Sequence, residues 1–362
     1  MTKEQQVVLE LVKLGIGYTD KCDLEVLSNA EVDWKRVSEI TVEQSVGAIA
    51  YVGADRIDDE RVMVPANVLL EWTKFVDKTK ENYMLHEKLL CSLARYFAKN
   101  GLSIMVLKGL GLSESYPVPS DRQCGDIDIM MMGEEGTRAA FEKSNELIRV
   151  KDVKVECDNP KHSAYELKGV TIENHLMFSD AESSGIEKRS EDILQDIYKK
   201  ENMLLMDEHG DAPEIFKPSA NLNYLFLLRH MAKHFGGVDT INLRQLCDWG
   251  VFLKQYGGDI DWKMCAERVK EMKLEKLCCI FTNIAQMLVG VELPCVEAYM
   301  DDVDEISHKV LDDLFIGQRN LPDRGLARTI AKSRYFWNQR WKYRYMPENF
   351  WLRSIKAFGK SM

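Results

Sequence analysis

The sequence has 362 residues, 45% of them hydrophobic and 29% charged, which argues against a disordered protein and leaves room for two or three domains or for one domain with helical elaborations. Its formal net charge of −10 argues against a general nucleic-acid-binding protein. The first residues lack a signal-peptide apolar core, and the long uncharged run at residues 277–291 is too short to cross a membrane. Nine cysteines without a CxxC pair favour a reducing compartment, so we expect a cytoplasmic protein without a transmembrane segment.

Helical spacing of apolar residues dominates the first hundred positions. Residues 1–80 contain several predicted short helices, among them EQQVVLELVKLG, VEQSVGAIAYVG and ANVLLEWTKFVDK. A longer helix is predicted from Lys80 to Lys99, because apolar residues recur every four positions from Leu85 and Asn100-Gly101 supplies a C-cap.

Beyond Gly101 the pattern becomes that of a sheet. SIMVLKG and GDIDIMMM are predicted strands, followed by a helix over residues 134–148, a strand over residues 153–158 and a hairpin that turns at Lys168-Gly169. From about Glu187 the spacing is helical again. The order predicts an α/β (α+β) fold, in which a small mixed sheet lies between N- and C-terminal helical regions.

We therefore divide the chain into four predicted regions. These are an N-terminal helical region at 1–80, an α/β core at 81–186, a C-terminal helical region at 187–318 and a tail at 319–362. The tail carries eleven Lys and Arg against two acids and interleaves nine aromatic residues with them. It either binds an acidic surface, such as a membrane face or a polyanion, or docks its aromatic residues on the acidic body of the protein.

Two aspartates in GDIDI form the clearest functional signal. Asp126 and Asp128 are two positions apart on a predicted strand, so both project from one face, while Ile127 and Ile129 face the core. Two adjacent carboxylates repel each other unless a cation lies between them, and oxygen ligands suit Mg²⁺ or Mn²⁺. The alternative is a strand end with solvated acids.

A third carboxylate is present in VTIENHLMF. Glu173 and His175 share a face of the second hairpin strand, so Glu173 is a candidate third metal ligand. The alternatives are a solvated hairpin acid for Glu173 and a polar core residue bonded within the sheet for His175.

Candidate phosphate-binding groups precede the aspartates. Lys108-Gly109 follows a predicted strand, where glycine allows close approach of the backbone to a phosphate and lysine adds a positive charge. Arg122 is four residues before Asp126 and can supply a planar fork of donors, unless it forms a salt bridge with Asp121 or Glu114.

A second constellation lies in the helical region, in RHMAKHFGGVDTINLRQLCDW. The histidines at i and i+4 share one helix face, but no third ligand is evident, which argues against zinc. The arginine and aspartate of LRQLCD are also i and i+4 and can pair with each other. These residues either line a cleft or make polar contacts between helices: Arg229, His230, His234, Arg244 and Asp248.

The segments LKG, YPVPSDRQCGDIDI, TIENHLMF and LLRHMAKHF…INLRQLCDWG resemble the bacterial uncharacterised nucleotidyltransferase family of the polymerase-β-like superfamily, over roughly Asp33 to Gly290. Enzymes of this superfamily move a nucleoside monophosphate from an NTP to a hydroxyl of an antibiotic, RNA or protein. Gly109 matches the first glycine of the superfamily motif, and Asp126 and Asp128 match its aspartate pair. Leu110 departs from the serine that many members have, and Ser113 is the candidate to replace it.

The resemblance implies a metal-dependent nucleotidyltransferase, in which the three carboxylates hold Mg²⁺ or Mn²⁺. The donor would be an NTP, with ATP as the first candidate. The acceptor would be a hydroxyl of a small molecule, sugar or protein. The helical constellation and His175 would lie on the acceptor side of the cleft. Two other hypotheses stay open. One is a non-catalytic binding or regulatory module of the same fold, and the other is a toxin-like nucleotidyltransferase that acts on tRNA or protein.

Overall fold

The computed structural model describes residues 1–17, 22–28, 31–206, 213–236, 241–290, 300–316 and 325–351. The helices are α1 (Lys3–Ile16), α2 (Leu24–Leu27), α3 (Trp34–Glu43), α4 (Gly47–Asp55), α5 (Ala66–Ala98), α6 (Lys108–Ser113), α7 (Thr137–Arg149), α8 (Gly185–Lys200), α9 (Ala220–Phe235), α10 (Leu243–Tyr256), α11 (Trp262–Glu271), α12 (Glu275–Val289), α13 (Val303–Ile316) and α14 (Gly325–Asn338). The strands are β1 (Ser103–Leu107), β2 (Ile127–Met132), β3 (His162–Leu167), β4 (Val170–His175), β5 (Leu204–Leu205) and β6 (Ile215–Lys217).

The strands form one six-stranded mixed sheet in the order β3-β4-β2-β1-β6-β5. Strand β2 lies antiparallel to β1 and parallel to β4, and β3 and β4 form the predicted hairpin at Lys168-Gly169. The predicted mixed α/β fold class is therefore confirmed. The short strands β5 and β6 were not predicted, because two and three residues are too few to show a period.

Alternation along β2 sends its side chains into two different layers. Ile127, Ile129 and Met131 pack in the hydrophobic cluster beneath the second half of α5. Met130 instead joins the larger cluster that includes residues of α9, α10 and α12. Because side chains alternate along a strand, Asp128 projects toward the same layer as Met130. The sequence pattern of GDIDI thus places its carboxylates opposite the C-terminal helices.

Two local predictions are corrected by the structure. Residues 153–158 are not a strand, since only Glu156 forms an isolated bridge, to Ala164. This segment has only Val153 and Val155 to bury, which is too little apolar surface to hold a strand on the sheet. The separate helices predicted on either side of Lys80 form one helix, α5, because no glycine or proline interrupts it.

The predicted four-region division stays a prediction, and its first boundary falls inside α5. Residues 319–324 and 352–362 of the predicted tail lie outside the described residues. Within its described part, Tyr343 donates a hydrogen bond to the Gly236 carbonyl at 2.7 Å, and Lys342 lies 2.7 Å from Asp313. This part of the tail docks on the body of the protein, while Trp337 and Trp351 stay exposed.

None of the helices in the described ranges combines the length and the apolar character needed to span a bilayer.

Glycines set how closely α1 and α4 approach each other. A Cβ atom built on Gly53 would lie 1.9 Å from the Leu11 carbonyl oxygen, and one on Gly15 would lie 1.8 Å from that of Ile49. We expect Gly53→Ala to push the two helices apart and to lower the free energy of unfolding by about 3 kcal/mol. Urea unfolding monitored by circular dichroism measures this loss.

Gly185→Ala is the matched control, because a Cβ atom on Gly185 at the start of α8 meets nothing within 4 Å. This control should unfold at the wild-type midpoint or slightly above it. Equal midpoints for the two variants would contradict the close approach of α1 and α4.

Candidate active site

The centre of the site is the carboxylate of Asp128, which is 2% exposed. Its Oδ1 atom lies 2.7 Å from the Lys108 Nζ atom and 2.8 Å from the His175 Nε2 atom. Burial by itself would raise the pKa of Asp128, but the Lys108 ammonium and the hydrogen bond from His175 hold that pKa well below its usual range. Asp128 is therefore ionised at neutral pH.

Parallel pairing of β2 and β4 brings a second carboxylate to the centre. Asp128 lies opposite Glu173 in the register, and each of Asp128, Glu173 and His175 offers a ligand atom within 4.8 Å of the other two. Burial raises the pKa of Glu173, but the hydrogen bond with His175, together with His162 and the charge of Lys108, leaves that pKa below its usual value. The group has the donor chemistry of a cation site.

The position of His175 indicates which ring nitrogen carries the proton. Its Nε2 atom is 2.8 Å from Asp128 and 3.4 Å from Glu173, and ionised carboxylates only accept hydrogen bonds. Nε2 is therefore the protonated nitrogen, while Nδ1 is buried and has no hydrogen-bond partner among the described residues. His162 stacks on the ring at a centroid distance of 5.2 Å. His175 thus holds the two carboxylates in place.

A sharp turn between β1 and α6 brings Lys108 onto Asp128. Lys108 and Gly109 both have positive φ, at 44° and 27°, and this conformation favours glycine. A Cβ atom on Gly109 would lie 3.6 Å from the Asp126 carbonyl oxygen and 4.0 Å from the Asp128 Oδ2 atom. The turn leaves an approach to the carboxylates that a side chain at position 109 would fill.

Asp126 lies just before β2 and is half-buried. Burial and the charge of Asp128 raise the pKa of Asp126 above its usual value. Glu173, the predicted third metal ligand, lies close to Asp128 together with His175. Asp126 lies outside this group, whose ligand atoms are within 4.8 Å of one another. Its carboxylate faces the adjoining cleft.

The cleft has a volume of about 330 Å³ and lies between the sheet and helices α9 and α10. It joins the two constellations that were identified separately in the sequence. The lining residues are Lys108, Gly109, Leu112, Arg122, Gly125, Asp126, Asp128, Leu227, His230, Met231, His234, Asn242, Arg244, Gln245, Asp248 and Trp249.

Arg122 does not pair with either of the acids considered from the sequence. Its Nε and Nη2 atoms bind both oxygens of Asp248, at 2.8 and 2.7 Å, and Tyr116 donates to the same carboxylate at 2.7 Å. Lys80 and Lys217 pair with Asp121 and Glu114 instead. Asp248 therefore pairs with Arg122, 126 positions away, and not with Arg244 as its helical spacing indicated.

The remaining predicted residues lie at different depths. Ser113 is buried beneath the site, where its hydroxyl donates to the Leu110 carbonyl at 2.6 Å and lies 3.2 Å from the Tyr83 hydroxyl. Arg229 binds Glu187 and Glu348 and does not line the cleft.

His230 and His234 pack ring against ring at 4.6 Å on the cleft wall. Among the residues that the structure describes, no third metal-ligating side chain joins these two histidines.

The sequence analysis did not identify Lys161, which is buried beside the site. Its carbonyl accepts hydrogen bonds from the amides of Leu176 and Met177, directly after His175. Burial, with the charges of Lys108 and Lys233, lowers the pKa of Lys161 to about 8. No periodic pattern in the loop before β3 marks this lysine.

Comparison with known proteins gives one match. The model of the family described as uncharacterised nucleotidyltransferases matches residues 30–290, which is more than two thirds of the chain. No curated protein and no solved structure matches the sequence.

The lowered pKa of Lys161 predicts a pH dependence of stability. Between pH 8 and about 10.4 the unfolded chain binds a proton that the folded protein has lost, so the free energy of unfolding should rise with pH. Lys161→Met removes the buried ammonium. This variant should exceed the wild type by roughly 3 kcal/mol at pH 7, and the difference should shrink toward pH 10.

Urea unfolding at pH 7, 8, 9 and 10 tests this expectation. Lys143→Met, on the exposed face of α7, is the control and should differ little from the wild type at any pH. A difference between Lys161→Met and the wild type that does not vary with pH would contradict it.

Proposed function

The chain belongs to the uncharacterised nucleotidyltransferase family, and from this premise we propose that it moves a nucleoside monophosphate from an NTP, ATP first, to a hydroxyl of an acceptor. The observation that carries the proposal is the juxtaposition of Asp128 and Glu173 on neighbouring strands, with Asp126 close by at the mouth of the cleft. Carboxylates brought together in this way suit a metal-bound triphosphate.

The residues fit the divalent cation that such a reaction requires. Asp128 and Glu173, whose oxygens lie in one group, would hold Mg²⁺ or Mn²⁺ with Asp126 as the proposed third ligand, and His175 would orient Asp128 and Glu173. The cation, when bound, neutralises phosphate charge and polarises the phosphate that is transferred. The protein contributes the fixed positions of the ligands, which buried partners hold in place.

Each polar group of the sheet wall has a task in the proposed transfer. Lys108 turns its ammonium to the triphosphate, and the Gly109 backbone leaves room for the phosphates beside it. Glu173 accepts the proton of the attacking hydroxyl. The acceptor oxygen forms a bond to the α-phosphorus as the bond to the β-phosphate oxygen breaks, and pyrophosphate leaves.

The helical wall provides the acceptor side in this proposal. His230, His234, Arg244 and Asp248 line the cleft, and we place the second substrate against this wall. His175 was expected on this side as well. We assign it instead to the orientation of Asp128, because its ring is fully buried within the sheet.

One observation favours the non-catalytic alternative. The Lys108 ammonium already contacts Asp128, so it neutralises the carboxylate that a metal would bind. In a binding module this ion pair would persist in the presence of Mg²⁺ and NTP. In an enzyme it would be exchanged for contacts with the cation and the phosphates.

Label transfer tests the proposed reaction. The protein is incubated with each α-³²P-labelled NTP, with Mg²⁺ or Mn²⁺ and with candidate acceptors: the protein itself, tRNA and small-molecule and protein fractions of a cell extract. We expect transfer of label with release of pyrophosphate, and loss of both in Asp126→Asn/Asp128→Asn and after removal of the metal with EDTA.

Asp158→Asn is the control for that assay, because Asp158 lies on an exposed loop away from the cleft. Transfer that survives in the double variant would place the chemistry elsewhere. Absence of transfer, together with absence of metal-dependent NTP binding, would support the binding module.

The proton-accepting role of Glu173 predicts a rate effect. Glu173→Gln keeps the size of the side chain but removes its basicity, so we expect turnover to fall about 100-fold or more. Single-turnover kinetics at saturating NTP and metal measure this fall. Glu166→Gln, on the exposed side of β3, should turn over at the wild-type rate. A Glu173→Gln variant with wild-type turnover would exclude this role.

A further inference from the structure

The wall of the cleft that α10 forms with the loop before β2 contains two guanidinium groups and one carboxylate. Arg122 and Asp248 form a bidentate pair, so the charge of Asp248 offsets that of Arg244 only in part. The charge of Arg122 reaches Arg244 and, after burial, is the next contribution to lowering its pKa. An arginine keeps its proton at neutral pH even so. This wall therefore carries one excess positive charge.

The contacts of Arg244 satisfy its guanidinium only in part. Its Nη1 atom donates to the Gln123 carbonyl at 2.8 Å, while its Nε atom is buried without a hydrogen-bond partner. Across the described ranges, no carboxylate lies within 4.0 Å of this guanidinium. The bond to Gln123 holds the side chain against the loop that precedes Asp126.

The neighbours of Arg244 on the wall are neutral polar groups. Asn242 and Gln245 cap α10 through their side-chain oxygens, so their NH₂ groups are the atoms that can donate into the cleft. Burial, followed by the charge of Lys108, holds the pKa of His230 well below its usual value, so its ring is neutral at pH 7. The wall therefore combines one charged fork with several neutral groups.

A half-buried charge without a counter-ion is costly, and an anionic ligand offsets that cost. The planar fork of arginine matches the oxygens of a phosphate group and can donate two hydrogen bonds to it. Neutral amide donors beside the fork add contacts for the remaining oxygens. The arrangement has the chemistry of a phosphate subsite.

We propose that Arg244 binds a phosphate group of a substrate in the cleft that Asp126 and Asp128 also line. This phosphate is either the terminal phosphate of the NTP or a phosphate carried by the acceptor. The proposal rests on the proposed function for the identity of these substrates. The inference that the ligand carries a phosphate group rests on the charge and the contacts of the Arg244 side chain.

Calorimetry separates the two sources. The probes are α,β-methylene-ATP with Mg²⁺, and inorganic phosphate added to the protein with and without that analogue. If the NTP supplies the phosphate, Arg244→Gln weakens analogue binding about tenfold or more. If the acceptor supplies it, Arg244→Gln leaves analogue binding unchanged and weakens phosphate binding to the loaded protein by a similar factor.

Two further variants control for folding and for general charge. Arg244→Lys keeps the charge and loses the fork, so its affinity should fall between those of the wild type and Arg244→Gln. Arg138→Gln changes an exposed arginine on α7 and should bind both probes as the wild type does. Wild-type affinity for both probes in Arg244→Gln or, if that variant does not fold, in Arg244→Lys would overturn the proposal.

The same titrations distinguish this proposal from the proposed function. Analogue binding that depends on Mg²⁺ and Asp128, with no effect of Arg244 on either probe, overturns the subsite alone. If the wild type binds no analogue but binds inorganic phosphate through Arg244, the nucleotidyltransferase proposal fails and the subsite stands. Absence of Arg244-dependent binding of both probes overturns the subsite whatever the analogue does.

Discussion

The buried carboxylate of Asp128 is the constraint on which the site depends. An ionised group that is 2% exposed requires compensation, and removal of one partner from such a buried pair costs about 3–5 kcal/mol in proteins generally. Lys108 and His175 supply it from two different neighbours of β2. Lys108 reaches Asp128 from the sharp turn that Lys108 and Gly109 form after β1, and His175 reaches it from β4, which lies parallel to β2. The strand order and the turn therefore both contribute to the compensation of this buried charge.

Ion pairs between distant parts of the chain then fix the opposite wall. Arg122, in the loop before β2, binds Asp248 of α10, so the loop that carries Asp126 is tied to the helix that carries Arg244. The backbone and side chain of Gln44 accept hydrogen bonds from the first residues of α10. On α9, Arg229 is held between Glu187 and Glu348, which joins the C-terminal tail to the helix that carries the histidines. Elements from both ends of the chain thus hold in place the two helices that line the cleft.

Part of this organisation can be predicted from the sequence. In GDIDI and TIENH, alternation of side chains along a strand shows which residues share a face. The carboxylates and His175 can therefore be identified without knowledge of how the strands pair. The parallel register that sets Asp128 beside Glu173 has no local signature, because it depends on how the sheet is assembled. The Arg122–Asp248 pair spans 126 positions, and helical spacing pointed to a different partner. Lys161 lies in a loop whose sequence has neither helical nor strand periodicity, so only its burial in the structure distinguishes it from other lysines.

Diffraction from crystals grown with Mn²⁺ and α,β-methylene-ATP would test the central claim most directly, because manganese can be located by its anomalous signal. The account predicts an anomalous peak at coordination distance from Asp128 and Glu173, with the triphosphate in the cleft between β2 and helices α9 and α10. A peak elsewhere, or a nucleotide bound outside this cleft with the Lys108–Asp128 pair intact, would contradict it.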